Sequence, residues 1–575
     1  MKKLLVYLKP YAKESAAGPL LKLTEAAMDL AVPVIVGRLI DDGIAAENMR
    51  YAAGMAGVLV ALAAAGLTIA ILAQFFAAKA AVGFVTGVRR ALFAHLGTLS
   101  YSDVDRLGAA SLITRMTSDM AQLQNGTNLT LRLLLRSPFV VLGSTVMAFV
   151  IDLRAGLLFL AAVAVLACVV FGVMLRTVPM YRGVQEQLDD VTDHVGQTLT
   201  GARVVRAFCR EESERTAFAG RADRLNRLQK AVGRVSALLN PVTFLLINLA
   251  VVWLIHTGAV RVEAGSLSQG QVVALYNYMA QILVELIKGA DLFILLTKAI
   301  ACGNRIEAVM ELRSSMTFPA EAPAEDPDAP AVSFEDVTLA YNDADPALTR
   351  VSFAVRRGQT VGVVGSTGSG KTSLVNLIPR FYDATGGVVR VNGADVRDYP
   401  EKTLRDKIGV VPQKAVLFRG TIRENLLWGS EDATREELEQ AVHAAQCDDV
   451  IAAKPEGLDA PVEQAGRNFS GGQRQRLTIA RALVRRPEIL ILDDSASALD
   501  MATDLRLRQA IASLPGDMTV FIVSQRASSV MQADVILVLE DGVLAACGDH
   551  ETLLKTSEIY REIYESQFGE AVHHG

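Results

Sequence analysis

The sequence predicts a chain in two parts: a membrane bundle of six transmembrane α-helices, followed by an α/β domain built around a phosphate-binding loop. Three observations predict it. Of the 575 residues, 51% are hydrophobic and 21% charged, with a mean hydropathy of +0.30. The two kinds are segregated, since long apolar runs fill residues 1 to about 310 and the remainder has the character of a soluble domain. Residues 365–372 read Gly-Ser-Thr-Gly-Ser-Gly-Lys-Thr, and further on comes Phe469-Ser470-Gly471-Gly472-Gln473.

A span needs ~20 mostly apolar residues, and six candidates fall near 17–40, 53–85, 131–151, 155–176, 238–258 and 269–296. The run from Ala155 to Leu175 holds no charge, and between Ala52 and Val88 the only charge is Lys79. Short connections at 41–51, 152–154 and 259–268 contain few bases. The long segments 86–130 and 177–235 carry Arg89, Arg90, Arg115, Arg182, Arg203, Arg206 and more. This asymmetry places the long segments and both termini in the cytoplasm. Strong helix formers in 177–235 extend helices into that compartment. Ser100-Tyr101-Ser102-Asp103 and Ala207-Phe208-Cys209-Arg210-Glu211 mark turns or short crossing helices. The start, Met-Lys-Lys-Leu-Leu-Val-Tyr-Leu-Lys-Pro, is basic and then apolar, with no small-residue cleavage site after it. It is expected as a short amphipathic helix on the inner membrane face.

Glu285, Lys288 and Asp291 lie in the last span. Charges there are costly and often functional. Glu285 and Lys288, three apart, can neutralise each other on a helix; a structural pair and a substrate-cavity role both stand open. The net charge of −5 gives no case for nucleic acid. The five cysteines form no Cys-x-x-Cys pair and are expected as isolated thiols.

A linker with Pro319, Pro323, Pro327 and Pro330 separates the halves, giving a transmembrane domain 1–312, a linker 313–330 and a nucleotide-binding domain 331–575. In the second half, strands such as Ala331–Phe334 and Thr360–Val364 alternate with helical stretches. The strand Thr360–Val364 runs straight into the phosphate loop. Backbone N–H groups of Gly365, Ser366, Thr367, Gly368, Ser369 and Gly370 turn inward around phosphates, and the helix start adds its dipole. Lys371 reaches the β/γ oxygens, and Thr372, followed by Ser373, can ligate Mg²⁺. Ile489–Leu492 makes a buried strand whose end presents two carboxylates: Asp493 suits indirect coordination of Mg²⁺, and Asp494 is placed to orient an attacking water.

In this order the motifs resemble an ATP-binding cassette (ABC) transporter, specifically an exporter-type half-transporter of the multidrug-resistance kind, over nearly the whole chain. Tyr341 matches the adenine-stacking aromatic, Gln413 in Val411-Pro412-Gln413 the γ-phosphate sensor, Phe469–Gln473 the family signature, and Ser497-Ala498-Leu499-Asp500 the loop after the carboxylates. The resemblance implies the type IV exporter fold, ATP and Mg²⁺ as cofactors, and a multi-pass protein of the plasma (inner) membrane with a cytoplasmic nucleotide domain. It also implies a small-molecule or lipid substrate. Two nucleotide domains would pair head to tail. Ser470, Gly471, Gly472 and Gln473 would then complete the partner's ATP site, Gln413 would contribute to the metal, and Asp500 would join the cofactor-binding residues. The turns near 101–105 and 207–212 resemble coupling helices, one of which would reach across to the partner subunit.

The chain departs from the family at two positions. Most members have Glu at Asp494 and His at Gln525, within Val523-Ser524-Gln525-Arg526. Gln can bond a phosphate oxygen but carries no proton or charge. A smaller departure is Glu463-Gln464-Ala465-Gly466, where an acidic-Arg-Gly pattern is usual. The expectation is a degenerate ATP site in a heterodimeric exporter whose second ABC half-transporter supplies the competent site. Alternatives are a homodimeric active exporter, an exporter-fold siderophore importer, and an ATP-gated regulatory membrane protein.

Overall fold

In the computed structural model, which describes residues 1–341, 345–495 and 498–568 with the Lys2 side chain excepted, the apolar half of the sequence becomes long helices. A 3₁₀ segment Lys2–Tyr11 leads into α1 (Ala12–Arg38), α2 (Met49–Leu96), α3 (Tyr101–Leu107), α4 (Ala109–Thr114), α5 (Met120–Leu133) and α6 (Arg136–Ile151). Then follow α7 (Leu153–Thr200), α8 (Ala202–Ala207), α9 (Glu211–Ala237), α10 (Leu239–Glu263) and α11 (Gln269–Met310). The N-terminal amphipathic segment is 3₁₀ rather than α, with Pro10, which has no N–H to donate, inside it. Side chains set the helix starts: Asn48 accepts from Tyr51 N, Asp152 from Ala155 N, and Ser268 forms a capping box with Gln271. Helices α2 and α7 have 48 residues each. That is about 72 Å, against ~30 Å of hydrocarbon, so both continue well past any membrane.

The chain divides into two units, Met1–Gly97 with Ala109–Leu312, and Thr98–Gly108 with Arg313–Gly575. In the first, a core of Leu30, Phe159, Leu166, Ile247, Tyr278, Met279 and Ile282 packs between helices, while Leu67, Val150, Leu175 and Trp253 face outward. Helices α1 and α11 approach so closely that a Cβ on Gly270 would lie 2.0 Å from the Gly37 carbonyl oxygen; only glycine fits there. Asp41 seals this crossing by accepting from Gly270 N at 2.8 Å and from the Ser268 hydroxyl.

Four helical runs among the described residues are long and apolar enough to cross a membrane: Met49–Leu96, Ala109–Ile151, Leu153–Thr200 and Glu211–Glu263. They contain the expected spans at 53–85, 131–151, 155–176 and 238–258. The other two expected spans fall on α1 and α11, which carry Lys22, Glu25 and Asp29, and Glu285, Lys288 and Asp291. All of those charges but Asp291 join a network of ion pairs. Arg136 of α6 donates to Glu285 at 2.7 Å and to Asp29 at 2.8 Å, Ser137 donates to Glu285 at 3.0 Å, and Lys288 also reaches Glu285 at 3.0 Å. The neutralising pair expected from the sequence is therefore present, but Arg136 makes the shorter contact.

The second unit is built on two main sheets. Strands β1 (Val332–Ala340), β2 (Pro346–Val355), β4 (Gly386–Val391) and β5 (Ala394–Asp395) form an antiparallel sheet in the order β2-β1-β4-β5. The central sheet runs β12-β11-β3-β10-β9-β6, from β3 (Thr360–Gly365), β6 (Ile408–Val411), β9 (Ile489–Asp493), β10 (Thr519–Val523), β11 (Val535–Glu540) and β12 (Val543–Gly548). All are parallel except β12, and β9 and β10 are buried at every position, as strands covered on both faces must be. A short ribbon pairs β7 (Gly420–Thr421) with β8 (Pro461–Val462).

Helix α3 belongs to this second unit. Its N-cap Ser100 accepts from Asp103 N, and Asp103 accepts from Ser315 N at 2.9 Å. The Tyr101 ring packs on Phe381 at 4.8 Å, and Tyr382 donates its hydroxyl to Asp105 at 2.7 Å. The second expected crossing element, at 207–212, is the end of α8, a turn with Cys209 at φ 51°, and the start of α9; Phe208 there is exposed.

Candidate nucleotide site

In open parallel sheets, ligands bind beyond the carboxyl ends of the strands. Here the ends of β3, β6, β9 and β10 bring the phosphate loop, Gln413, the Asp493–Asp494 pair and Gln525 to one edge. The loop leaves β3 at Gly365 and enters α12 (Lys371–Leu377) at Gly370. Gly370 has φ +94°, and a Cβ there would lie 2.6 Å from the Ala347 carbonyl oxygen. Gly370→Ala is therefore expected to cost about 1–3 kcal/mol, seen as a lower unfolding temperature and loss of stabilisation by ATP in a thermal-shift measurement.

Lys371 curls over the loop, donating to the carbonyls of Gly365 at 2.9 Å and Ser366 at 2.6 Å, with the Ser369 hydroxyl at 3.4 Å. Burial pushes its ammonium pKa down, and the carboxylates of Asp494 and Asp493 offset this only in part. Thr372 donates its hydroxyl to both Asp493 oxygens at 3.0 Å. Burial pushes the Asp493 carboxyl up, the Thr372 hydrogen bond works against that, and neighbouring Asp494 adds to the rise. A cation at this position would relieve that burial cost.

Asp494 stands at the end of β9 in a left-handed backbone conformation, φ 46°, with its N–H bonded to Val523 O at 2.9 Å. Gln413 donates to its carboxylate at 3.2 Å. Gln525 approaches the Thr367 hydroxyl at 3.5 Å, and its backbone carbonyl accepts from Gln567 at 2.9 Å, while Gln567 also accepts from Ala527 N. Tyr341 donates to Ser373 at 3.1 Å and meets the Tyr382 ring edge-on at 5.0 Å. Tyr382 and Gln567 were not singled out from the sequence; neither lies in a motif, and only long-range packing brings them in.

The signature residues form their own element. Ser470 caps the helix Gly471–Val484 in a capping box with Gln473, and Ser470 and Gly471 are exposed. Gly472 lies against the Ala498 carbonyl, where a Cβ would come to 3.1 Å. Asp500 caps the helix Met501–Ala512 by accepting from Thr503 N, which draws its pKa down. Ser497 lies outside the described residues. Among the described residues, no hydrogen bond or ion pair joins 469–473 to 365–372, so the phosphate loop and the signature are separate surfaces on one chain.

A phosphate loop, a buried carboxylate facing its threonine, and a helical membrane unit in the same chain define a membrane-bound P-loop ATPase. Comparison with known proteins carries this further. The family model for the ABC transporter transmembrane region matches residues 16–286, and that for the ABC transporter matches residues 348–497. The uncharacterized ABC transporter ATP-binding protein YfiB of Bacillus subtilis is 35% identical over 570 residues, 99% of each chain. An ATP-dependent lipid A-core flippase of Syntrophus aciditrophicus is 29% identical over 578 residues, 99% of this chain and 94% of its own. A solved bacterial Atm1-family ABC exporter with ATP bound shares the fold at a TM-score of 0.80 with 24% identity, covering 96% of this chain and 98% of its own. The chain belongs to the ABC transporter family. It is an ATP-hydrolysing membrane transporter with the exporter fold, a membrane domain preceding an ABC ATPase domain.

Proposed function

We propose that this chain is one half of a heterodimeric exporter, moving amphipathic compounds, drugs or lipids across the plasma membrane, in which its own ATP site binds nucleotide but turns it over slowly. The observation that carries this is the pairing of Asp494, a short carboxylate already bonded to Gln413, with Gln525 where a group able to carry charge would serve better. The exposed Ser470–Gly471 helix start supports the second half of the reading: its N–H groups and dipole suit a phosphate held by another chain. The named lipid flippase among the relatives supports a lipid or lipid-like cargo.

In this reading, α1 and α11 complete a set of six spans with both termini and the nucleotide domain in the cytoplasm. The domains are 1–312, a linker 313–330, and 331–575. Tyr341 stacks the adenine, residues 365–373 hold the phosphates, and Gln413 reads the γ-phosphate. The exposed Phe208 turn reaches toward the partner's nucleotide domain.

The donor set fits Mg²⁺: a hydroxyl at Thr372, a carboxylate at Asp493 and an amide at Gln413 are hard oxygen ligands. Among the described residues no group of three or more His, Cys, Asp or Glu could hold a metal. That suits an ion that takes most of its oxygens from nucleotide and water. When bound, Mg²⁺ would neutralise phosphate charge.

The test is ATP hydrolysis by the purified chain alone and after co-purification with each candidate half-transporter from the same genome. Little activity alone, restored by the partner and lost when the partner's catalytic Glu is replaced, is the expected result. Robust hydrolysis by the chain alone would replace the heterodimer with a homodimeric exporter.

A further inference from the structure

The acidic, proline-rich linker is held against the nucleotide-binding unit by a polar clasp whose centre, Asn392, is buried. Glu325 accepts from the Asn392 side-chain amide at 3.0 Å and pairs with Lys407 at 3.2 Å. The same two side chains hold Glu488, Asn392 at 2.9 Å and Lys407 at 2.7 Å. Asn392 is 2% exposed, and its backbone is engaged as well: its carbonyl accepts from Asp326 N at 3.1 Å, and its N–H donates to Ala331 O at 3.0 Å. Burial works against the Lys407 charge, but the two carboxylates more than offset it and raise its pKa.

The placement of this clasp in the sheet gives it meaning. Lys407 immediately precedes β6 and Glu488 immediately precedes β9. These are neighbouring parallel strands, paired from Ile408↔Ile489 to Val411↔Leu492. At their other ends stand Gln413 and Asp494, joined by the 3.2 Å hydrogen bond. The two strands are therefore bridged at both ends, once by the linker clasp and once by the nucleotide-site pair, about 20 Å apart at the rise of a strand. Among the described residues, strand β6 is the edge of the sheet and pairs with β9 alone. With a strand partner on one side only, β6 takes part of its position from the side-chain bridge at its start, which bears on where Gln413 stands beyond its end.

We infer that Glu325 is a positioning residue for the nucleotide site: the linker, by clasping the starts of β6 and β9, sets Gln413 against Asp494 and so tunes how the site tells ATP from ADP. The inference rests on the proposed reading of Gln413 as the γ-phosphate sensor. It also gives α11 a covalent route to the site, since the linker begins where that helix ends.

The experiment uses the full chain in lipid nanodiscs, with a fluorescent ATP analogue displaced by ATP or ADP in the presence of Mg²⁺. Glu325→Gln keeps the Lys407–Glu488 pair and is expected to lower the preference for ATP over ADP about three- to tenfold with ADP affinity unchanged. Glu325→Asp, which keeps the charge, is expected to retain most of the preference. The double variant Glu325→Gln with Gln413→Ala should be no worse than Gln413→Ala alone, whereas uncoupled sites more than about 10 Å apart would add their effects. An unchanged preference in Glu325→Gln, equal weakening of ATP and ADP, or plain additivity would overturn the inference. If Gln413→Ala itself leaves the preference intact, the sensor reading fails first and the inference falls with it.

Discussion

Asp494→Glu is expected to raise the chain's ATP hydrolysis rate by about a hundredfold, the low end of what general-base assistance contributes. That corresponds to roughly 3 kcal/mol of barrier. On the proposed reading of a degenerate site, the extra methylene would extend the carboxylate by about 1.5 Å, beyond the position at which Gln413 now bonds Asp494. The KM for ATP should stay unchanged, because Lys371, Thr372 and Tyr341 keep their contacts. Phosphate release by the purified chain, with and without Gln525→His added, measures it. An unchanged rate in Asp494→Glu would mean that Asp494 is already adequate, and the degenerate-site reading would give way to an active homodimer.

Arg136→Ala is expected to destabilise the membrane unit by about 3–5 kcal/mol, the cost of leaving a buried charge without its partner. Glu285 is 4% exposed, and Arg136 is its shortest ionic contact as well as the hydrogen-bond donor to Asp29. Lys288 remains beside Glu285 at 3.0 Å, but its side chain is 43% exposed and supplies a weaker, better-solvated charge. Unfolding of the detergent-solubilised chain with temperature reads the loss. Combining Arg136→Met with Glu285→Gln removes both charges and should recover most of the stability. A single Arg136→Ala variant as stable as the parent would show that the network is solvated rather than structural.

Sequence patterns local to a few residues were legible. The runs Val361–Val364 and Ile489–Leu492 announced strands buried on both faces, and both are central in the sheet. The apolar segments within α2, α6, α7 and α10 announced spans, and these helical runs qualify by length and composition. The expected spans on α1 and α11 are not among the helical runs that qualify by length and composition, because their charges lower their hydropathy. Arg136 of α6 joins Asp29 and Glu285 across helices, which is a property of packing. In the nucleotide site the loop, the two carboxylates and Gln413 were legible as motifs. Tyr382 beside Tyr341 and Gln567 behind Gln525 were not, since neither spacing nor residue type marks them.

The sequence by itself determined the division into a membrane half and an ATPase half, the phosphate-loop motif, and the presence of Asp494 and Gln525 after their strands. Each is a matter of composition or of residues adjacent in the chain, where covalent geometry leaves few alternatives. Only the tertiary structure decided that Arg136 answers Glu285 across 149 residues, and that Glu325, Asn392, Lys407 and Glu488 meet at the starts of two strands. Such contacts follow from how buried polar groups find partners once helices and sheets have packed, and burial without a partner is what the fold must avoid.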